Sequence, residues 1–154
     1  MPPASWSSAE EQIPVVDEAD VAIVQGRIRR LAGRLGFDRQ GQWELAIAVS
    51  EAATNIVKHA GRGQVVLRWQ EREESFVEFE AVDEGEGIGE VALAMLDGVS
   101  EGKNSSEHDD LRSRRGLGYG LGGIKRLMDE LVIENRLGGG LSVRARKYRS
   151  ADGR

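Results

Sequence analysis

Apolar residues return along this chain at two different spacings, and the change between them separates helices from strands. Val21, Val24, Ile28, Leu31 and Leu35 recur at steps of three and four. That spacing predicts a helix over 18–35 with one apolar face, ended by Gly36. A second helix is predicted over 38–59, with Asp38 as its N-cap, Gly61 beyond its end, and Ala46, Val49, Ala53 and Ile56 turned toward a core. The period then drops to two. Residues 64–69 and 75–82 read as strands joined by the polar turn Glu71-Arg72-Glu73-Glu74. In the second of them Phe76, Glu78 and Glu80 share one face, and Val77, Phe79 and Ala81 share the other.

Shorter elements complete the pattern. Ile13-Pro14-Val15-Val16 predicts an edge strand, where Pro14 is tolerated. Residues 90–96 predict a short helix, 98–115 a long polar loop, 120–130 a helix, and 131–135 a strand. Gly138-Gly139-Gly140 turns the chain into a last strand, 141–148. Strands grouped in pairs, with helices between the groups, predict an α+β fold. The expected architecture is a two-layer sandwich, a mostly antiparallel mixed sheet covered by helices on one face. The regular strand–helix alternation of a dinucleotide-binding fold is missing. One domain is expected over 13–149, between a Pro/Ser/Glu-rich tail at 1–12 and a frayed end at 150–154.

Composition narrows the chemistry. The 154 residues include no cysteine and only two histidines, His59 and His108, which removes thiol nucleophiles, disulfides and histidine-rich metal sites. A net charge of -5 argues against a nucleic-acid partner. Neither a spanning apolar run nor a signal-peptide pattern is present, so a cytoplasmic protein with no membrane partner is expected.

Three segments carry candidate chemistry. Glu51, Asn55 and Lys58 fall on one stripe of the second helix. A carboxylate beside a carboxamide suits Mg²⁺ or a general base, although in isolation the commoner reading of such a pair is a solvated helix face. Asp83-Glu84-Gly85-Glu86-Gly87-Ile88-Gly89 follows a strand directly, and its glycines permit close approach of backbone to a ligand. Arg115-Gly116-Leu117-Gly118-Tyr119-Gly120-Leu121 runs into a helix, an arrangement suited to anions. It lacks the lysine of a P-loop and the preceding strand of a dinucleotide fingerprint.

The order of these segments is more specific than any one of them. Glu51-x-x-x-Asn55, Asp83-x-Gly85-x-Gly87 and Gly116-x-Gly118-x-Gly120 resemble the N, G1 and G2 boxes of the GHKL ATPase/kinase superfamily, whose members share the Bergerat ATP-binding fold. At this length the chain is most similar to the anti-sigma-factor serine kinases. Among these it resembles the RsbT-type switch kinases of the stressosome, through 50–64 and 120–130.

The resemblance implies a serine/threonine protein kinase using ATP and Mg²⁺. Glu51 would be the general base, Asn55 would hold the metal, and Asp83 would bind the adenine amine. Lys58, Gly85, Gly87 and Ile88 would help form the ATP pocket. Arg115, Gly116, Leu117, Gly118, Tyr119, Gly120 and Leu121 would close over the phosphates, with 98–115 as a lid bearing Arg112 and Arg114. Implied partners are a STAS-domain substrate, a metal-dependent serine/threonine phosphatase or a sigma factor; the resemblance also leaves room for a homodimer. A non-catalytic nucleotide-binding module is the alternative of a different class.

Two features depart from the family pattern. The lid is longer and more charged than in switch kinases. Leu141 stands where many relatives carry a threonine beside the adenine, with Ser142 next, which implies one hydrogen bond fewer and weaker ATP binding. Elsewhere, Trp43 and Trp69 are expected to be packing residues, His59 a helix-end cation or core-edge residue, and Arg144, Arg146, Lys147 and Arg149 to be solvated.

Overall fold

The computed structural model describes residues 9–72, 74–87 and 120–150. Five strands form one sheet in the order β1-β2-β3-β5-β4. They are β1 (Ala9–Val15), β2 (Gly63–Gln70), β3 (Phe76–Asp83), β4 (Glu130–Asn135) and β5 (Leu141–Tyr148). Every pairing among them is antiparallel, so the expected mixed sheet is wholly antiparallel among the described residues. The first strand starts at Ala9, four residues before the expected Ile13, and takes in Ala9–Gln12, which the sequence had placed in the tail. Pairing with β2 explains this, because Ala9 lies opposite Trp69 and the ladder satisfies backbone groups that side-chain composition does not reveal.

Among the described residues three α-helices cover one face: α1 (Glu18–Arg34), α2 (Arg39–Asn55) and α3 (Leu121–Leu127). Asp17 caps α1 by accepting from the Asp20 N–H at 3.1 Å, and Asp38 caps α2 by accepting from the Gly41 N–H at 2.7 Å. The α1 stripe Val24, Ile28, Leu31 and Ala32 is buried at helical spacing. The second helix buries more than the single face its pattern suggested. Leu45, Ala46, Ala48, Val49, Ala52 and Ala53 are all enclosed, because α2 packs against α1, α3 and the sheet together. Its alanines keep the neighbouring backbones close.

The last turn of that segment, Ile56–Ala60, is a π-helix, closed by Gly61 at φ 84°. Insertion of a π turn shifts side-chain positions relative to a continuing α-helix. The third helix stops at Leu127, earlier than the expected 130, because Met128 is extended and Glu130 already pairs with Arg146 of β5.

The sheet's two faces differ in kind. Val77, Phe79 and Ala81 of β3 point under the helices and are buried with Val65, Leu67, Val143 and Ala145. Burial of Phe79 alone stabilises the fold by about 1.5–3 kcal/mol. The opposite face is ionic. Arg68 bridges Glu10, Glu78 and Glu80 at 2.9–3.0 Å, and Arg146 reaches Glu78 at 2.9 Å. Arg146 is thus engaged rather than solvated, as is Lys147, 3.2 Å from Glu44. Trp69 packs against the core as expected, whereas Trp43 is 43% exposed on α2. No helix among the described residues is long and apolar enough to cross a membrane.

Burial alone would raise the Glu80 carboxyl, but hydrogen bonds from Arg68 and Ser142 and the charges of Arg68 and Arg144 outweigh it and hold it below its usual 4.5. A depressed carboxylate stabilises the fold above its unfolded pKa, and that contribution disappears as pH falls through the folded value. Urea midpoints measured from pH 6 to pH 3 are expected to fall less steeply in Glu80→Gln than in the wild type. Parallel curves would show that the pair contributes nothing.

Candidate functional site

The site lies where the carboxyl end of β3 meets the π turn and the start of β5. Strand parity puts Asp83 on the inner face with Ala81 and Phe79, so its carboxylate enters the helix layer and is only 7% exposed. A buried carboxylate needs donors. Asp83 Oδ1 accepts from the Gly85 N–H and from the Leu141 N–H, both at 3.0 Å. Arg136 donates through Nη1 to the Asp83 carbonyl at 2.6 Å. Among the described residues both backbone donors go to Oδ1.

Beside it is a cavity of about 230 Å³ lined by His59, Asp83, Gly85, Glu86, Gly87 and Leu141. Its walls depend on missing side chains. A Cβ on Gly85 would lie 2.9 Å from Ala60 Cβ, so this glycine lets the chain pass close to the π turn. Gly140, at φ 100°, has the Asp83 carbonyl in the space a Cβ would need. Both positions bring backbone against backbone around the carboxylate.

Glu51 is exposed on α2, and Asn55 closes that helix, 6% exposed. The expected common stripe of Glu51, Asn55 and Lys58 therefore divides. Asn55 turns inward, Glu51 and Lys58 face outward, and the π turn moves Lys58 off its α-helical position relative to Asn55. Gly120, in the left-handed region at φ 61°, starts α3 directly against Glu51; a Cβ there would meet Glu51 Oε2. Two segments 69 residues apart in sequence, Glu51 and Gly120, thus converge. Leu121 is 2% exposed and belongs to the core. Ile88, Arg115, Gly116, Leu117, Gly118 and Tyr119 lie outside the described residues, as do the 90–96 helix and the 98–115 lid.

Several participants were not assigned from sequence. Arg136 had no local signal. His59, read as a helix-end cation, lines the cavity because the π turn carries it there. Ser142 does not replace the absent threonine: its hydroxyl donates to Glu80 Oε2 at 2.9 Å on the opposite face of the sheet. The triple glycine before Leu141 was the available clue to the pinning of Asp83.

Gly140→Ala is expected to cost about 1–3 kcal/mol, since it adds strain at a positive φ and a collision with the Asp83 carbonyl. Urea unfolding checks this, and an unchanged midpoint would mean that the β5 entry is not held tightly.

Residues 15–147 match the model of the histidine kinase-like ATPase domain. The chain is 32% identical over 137 residues to the serine/threonine-protein kinase RsbT of Bacillus subtilis, covering 88% of this chain and 94% of that protein. It is also 32% identical over 146 residues to the serine-protein kinase RsbW of the same species, covering 90% and 84%. A serine-protein kinase RsbW of Oceanobacillus iheyensis is 28% identical over 139 residues, covering 88% and 84%. With the inward Asp83, the glycine-lined cavity and the Glu51–Gly120 contact on the matched segment, the chain belongs to the histidine kinase-like ATPase domain family, alongside its serine/threonine-protein kinases.

Proposed function

We propose that this chain is a protein serine/threonine kinase that uses Mg-ATP to phosphorylate a STAS-domain partner in a bacterial partner-switching pathway. Once released, it binds a metal-dependent serine/threonine phosphatase. The observation that carries the reading is the placement of Glu51: exposed, on a rigid helix, and touching the glycine at which the third motif enters α3. A base there stands at the edge of the nucleotide site yet remains open to a protein substrate.

In this reading Asp83 Oδ2 accepts a hydrogen bond from the adenine amine, and the backbone at Gly85 and Gly87 forms one wall of the base pocket. Leu141 offers an apolar contact where a hydroxyl would have added a hydrogen bond. Asn55 would hold Mg²⁺ through its carboxamide oxygen, and the ion would supply charge neutralisation at the phosphates. Glu51 takes the proton from the substrate's serine or threonine hydroxyl. That oxygen bonds to the γ-phosphorus as the bond from phosphorus to the β,γ-bridging oxygen breaks, and ADP leaves. Phosphoryl transfer depends chiefly on position and charge, so this small set of groups suffices.

A second reading is an anti-sigma factor that sequesters a sigma subunit and phosphorylates an anti-anti-sigma protein. The matches to RsbW support it. The RsbT match reaches 94% of its relative against 84% for the RsbW of the same species, which favours the switch kinase.

Purified chain with labelled Mg-ATP and STAS-domain proteins from the same genome is expected to give phosphoserine or phosphothreonine. Glu51→Gln should lower transfer by about 10²–10⁴ with ATP affinity retained. Failure to bind ATP at all would leave only a binding module without a nucleotide.

A further inference from the structure

The exposed side of the α1–α2 pair carries large apolar residues that the fold does not use. Trp43 and Ile47 are 43% and 46% exposed and stand one helical turn apart on α2; Ile23 of α1 is 46% exposed. The register between the helices is fixed by two contacts. Arg29 lies over the Trp43 ring at 4.0 Å, and a Cβ on Gly33 would be 3.6 Å from the Gln42 amide. Carried along this antiparallel pair, the register brings Gly26 level with Ile47 and Ile23 level with Glu51. A Cβ on Gly26 would meet nothing within 4 Å, so the two ridges have a shallow gap between them.

This stripe leads to Glu51. Trp43, Ile47 and Glu51 follow at i, i+4 and i+8, a run of roughly 12 Å along one face. At its far end the surface is cationic. Arg30, Arg34 and Arg39 are exposed and form no ion pair among the described residues, and Arg29 Nε finds no acceptor there. Unpaired arginines beside exposed aromatic and aliphatic side chains, on a protein of net charge -5, call for an acidic, partly apolar protein surface.

We propose that this stripe is the docking surface for the protein substrate. The substrate places an apolar contact on Ile23, Trp43 and Ile47 and a group of carboxylates on the arginines. Its serine or threonine hydroxyl then lies at Glu51, roughly 18 Å from the carboxylates that meet Arg39. The proposal rests on the kinase reading above and adds where the substrate is held. Helix α2 then does two tasks on one face, with recognition at its amino end and proton removal near its carboxyl end.

The test uses the full chain, Mg-ATP, and each STAS-domain protein of the same genome as substrate. Ile47→Asp is expected to raise KM for the phosphorylated protein at least tenfold, leaving kcat within twofold and ATP affinity unchanged. The retained kcat and ATP affinity of Ile47→Asp exclude misfolding as the cause, and Ile47→Met should behave as wild type. Arg30→Glu with Arg34→Glu should raise KM most at low salt, where exposed charges are least screened. An unchanged KM in Ile47→Asp, with transfer intact, overturns the docking surface and leaves the kinase reading standing. If sedimentation shows Ile47→Asp converting a dimer to a monomer at unchanged KM, a second copy covers the stripe and the proposal also fails. ATP binding without binding or phosphorylation of any STAS protein overturns the docking proposal and the substrate class together.

Discussion

A carboxylate withdrawn from water has to be met by donors, and much of this site follows from how that is done at Asp83. Leaving such a group unpaired costs several kcal/mol, so the surrounding chain is committed to reaching it. Gly85 turns back to place its N–H on Oδ1, and Leu141 does the same from the start of β5. Neither approach tolerates bulk. Gly140 must pass the Asp83 carbonyl, and Gly85 must pass Ala60. Arg136 holds the same peptide from the β4–β5 turn. The carboxylate thus gathers β3, β5 and the π turn, and the cavity is the space that remains among them.

Alternation along the strands lets one sheet meet two incompatible demands. Its inner face supplies apolar contacts to the helices and, at the last position of β3, one acid. Among the described residues no helix covers its outer face, which neutralises its own charge through Arg68, Arg146 and the glutamates between them. Glu78, 5% exposed, shows how far that network is screened from solvent. The aliphatic parts of the long side chains provide the cover.

Periodicity made most of the architecture readable. Helical spacing marked α1 and α2, the capping aspartates marked their starts, and two-residue alternation placed β3 and β5 almost to the residue. Neighbour-dependent features were not readable. Ala9–Gln12 lack a strand's composition and become one because β2 offers a free edge. The stripe through Asn55 divides because burial against several neighbours, and then a π turn, override simple helical spacing. Trp43 looks like a core residue by type, but it is 43% exposed on α2, and Arg29 stacks on it instead. In the site itself, the motif order named Asp83 and Glu51, whereas Arg136 and His59 entered through topology alone.

The bond from Leu141 to Asp83 spans 58 residues. Contacts that distant in sequence form late, after the loops between them have been closed. The hairpin of β2 and β3 can zip locally, yet it leaves Asp83 with one donor from its own turn. Until β5, the last strand of the sheet, arrives, the acid is incompletely solvated by protein and its neighbouring cavity has no floor. Competence to hold a ligand there is therefore a property of the finished sheet, and a chain partway through folding has not yet acquired it.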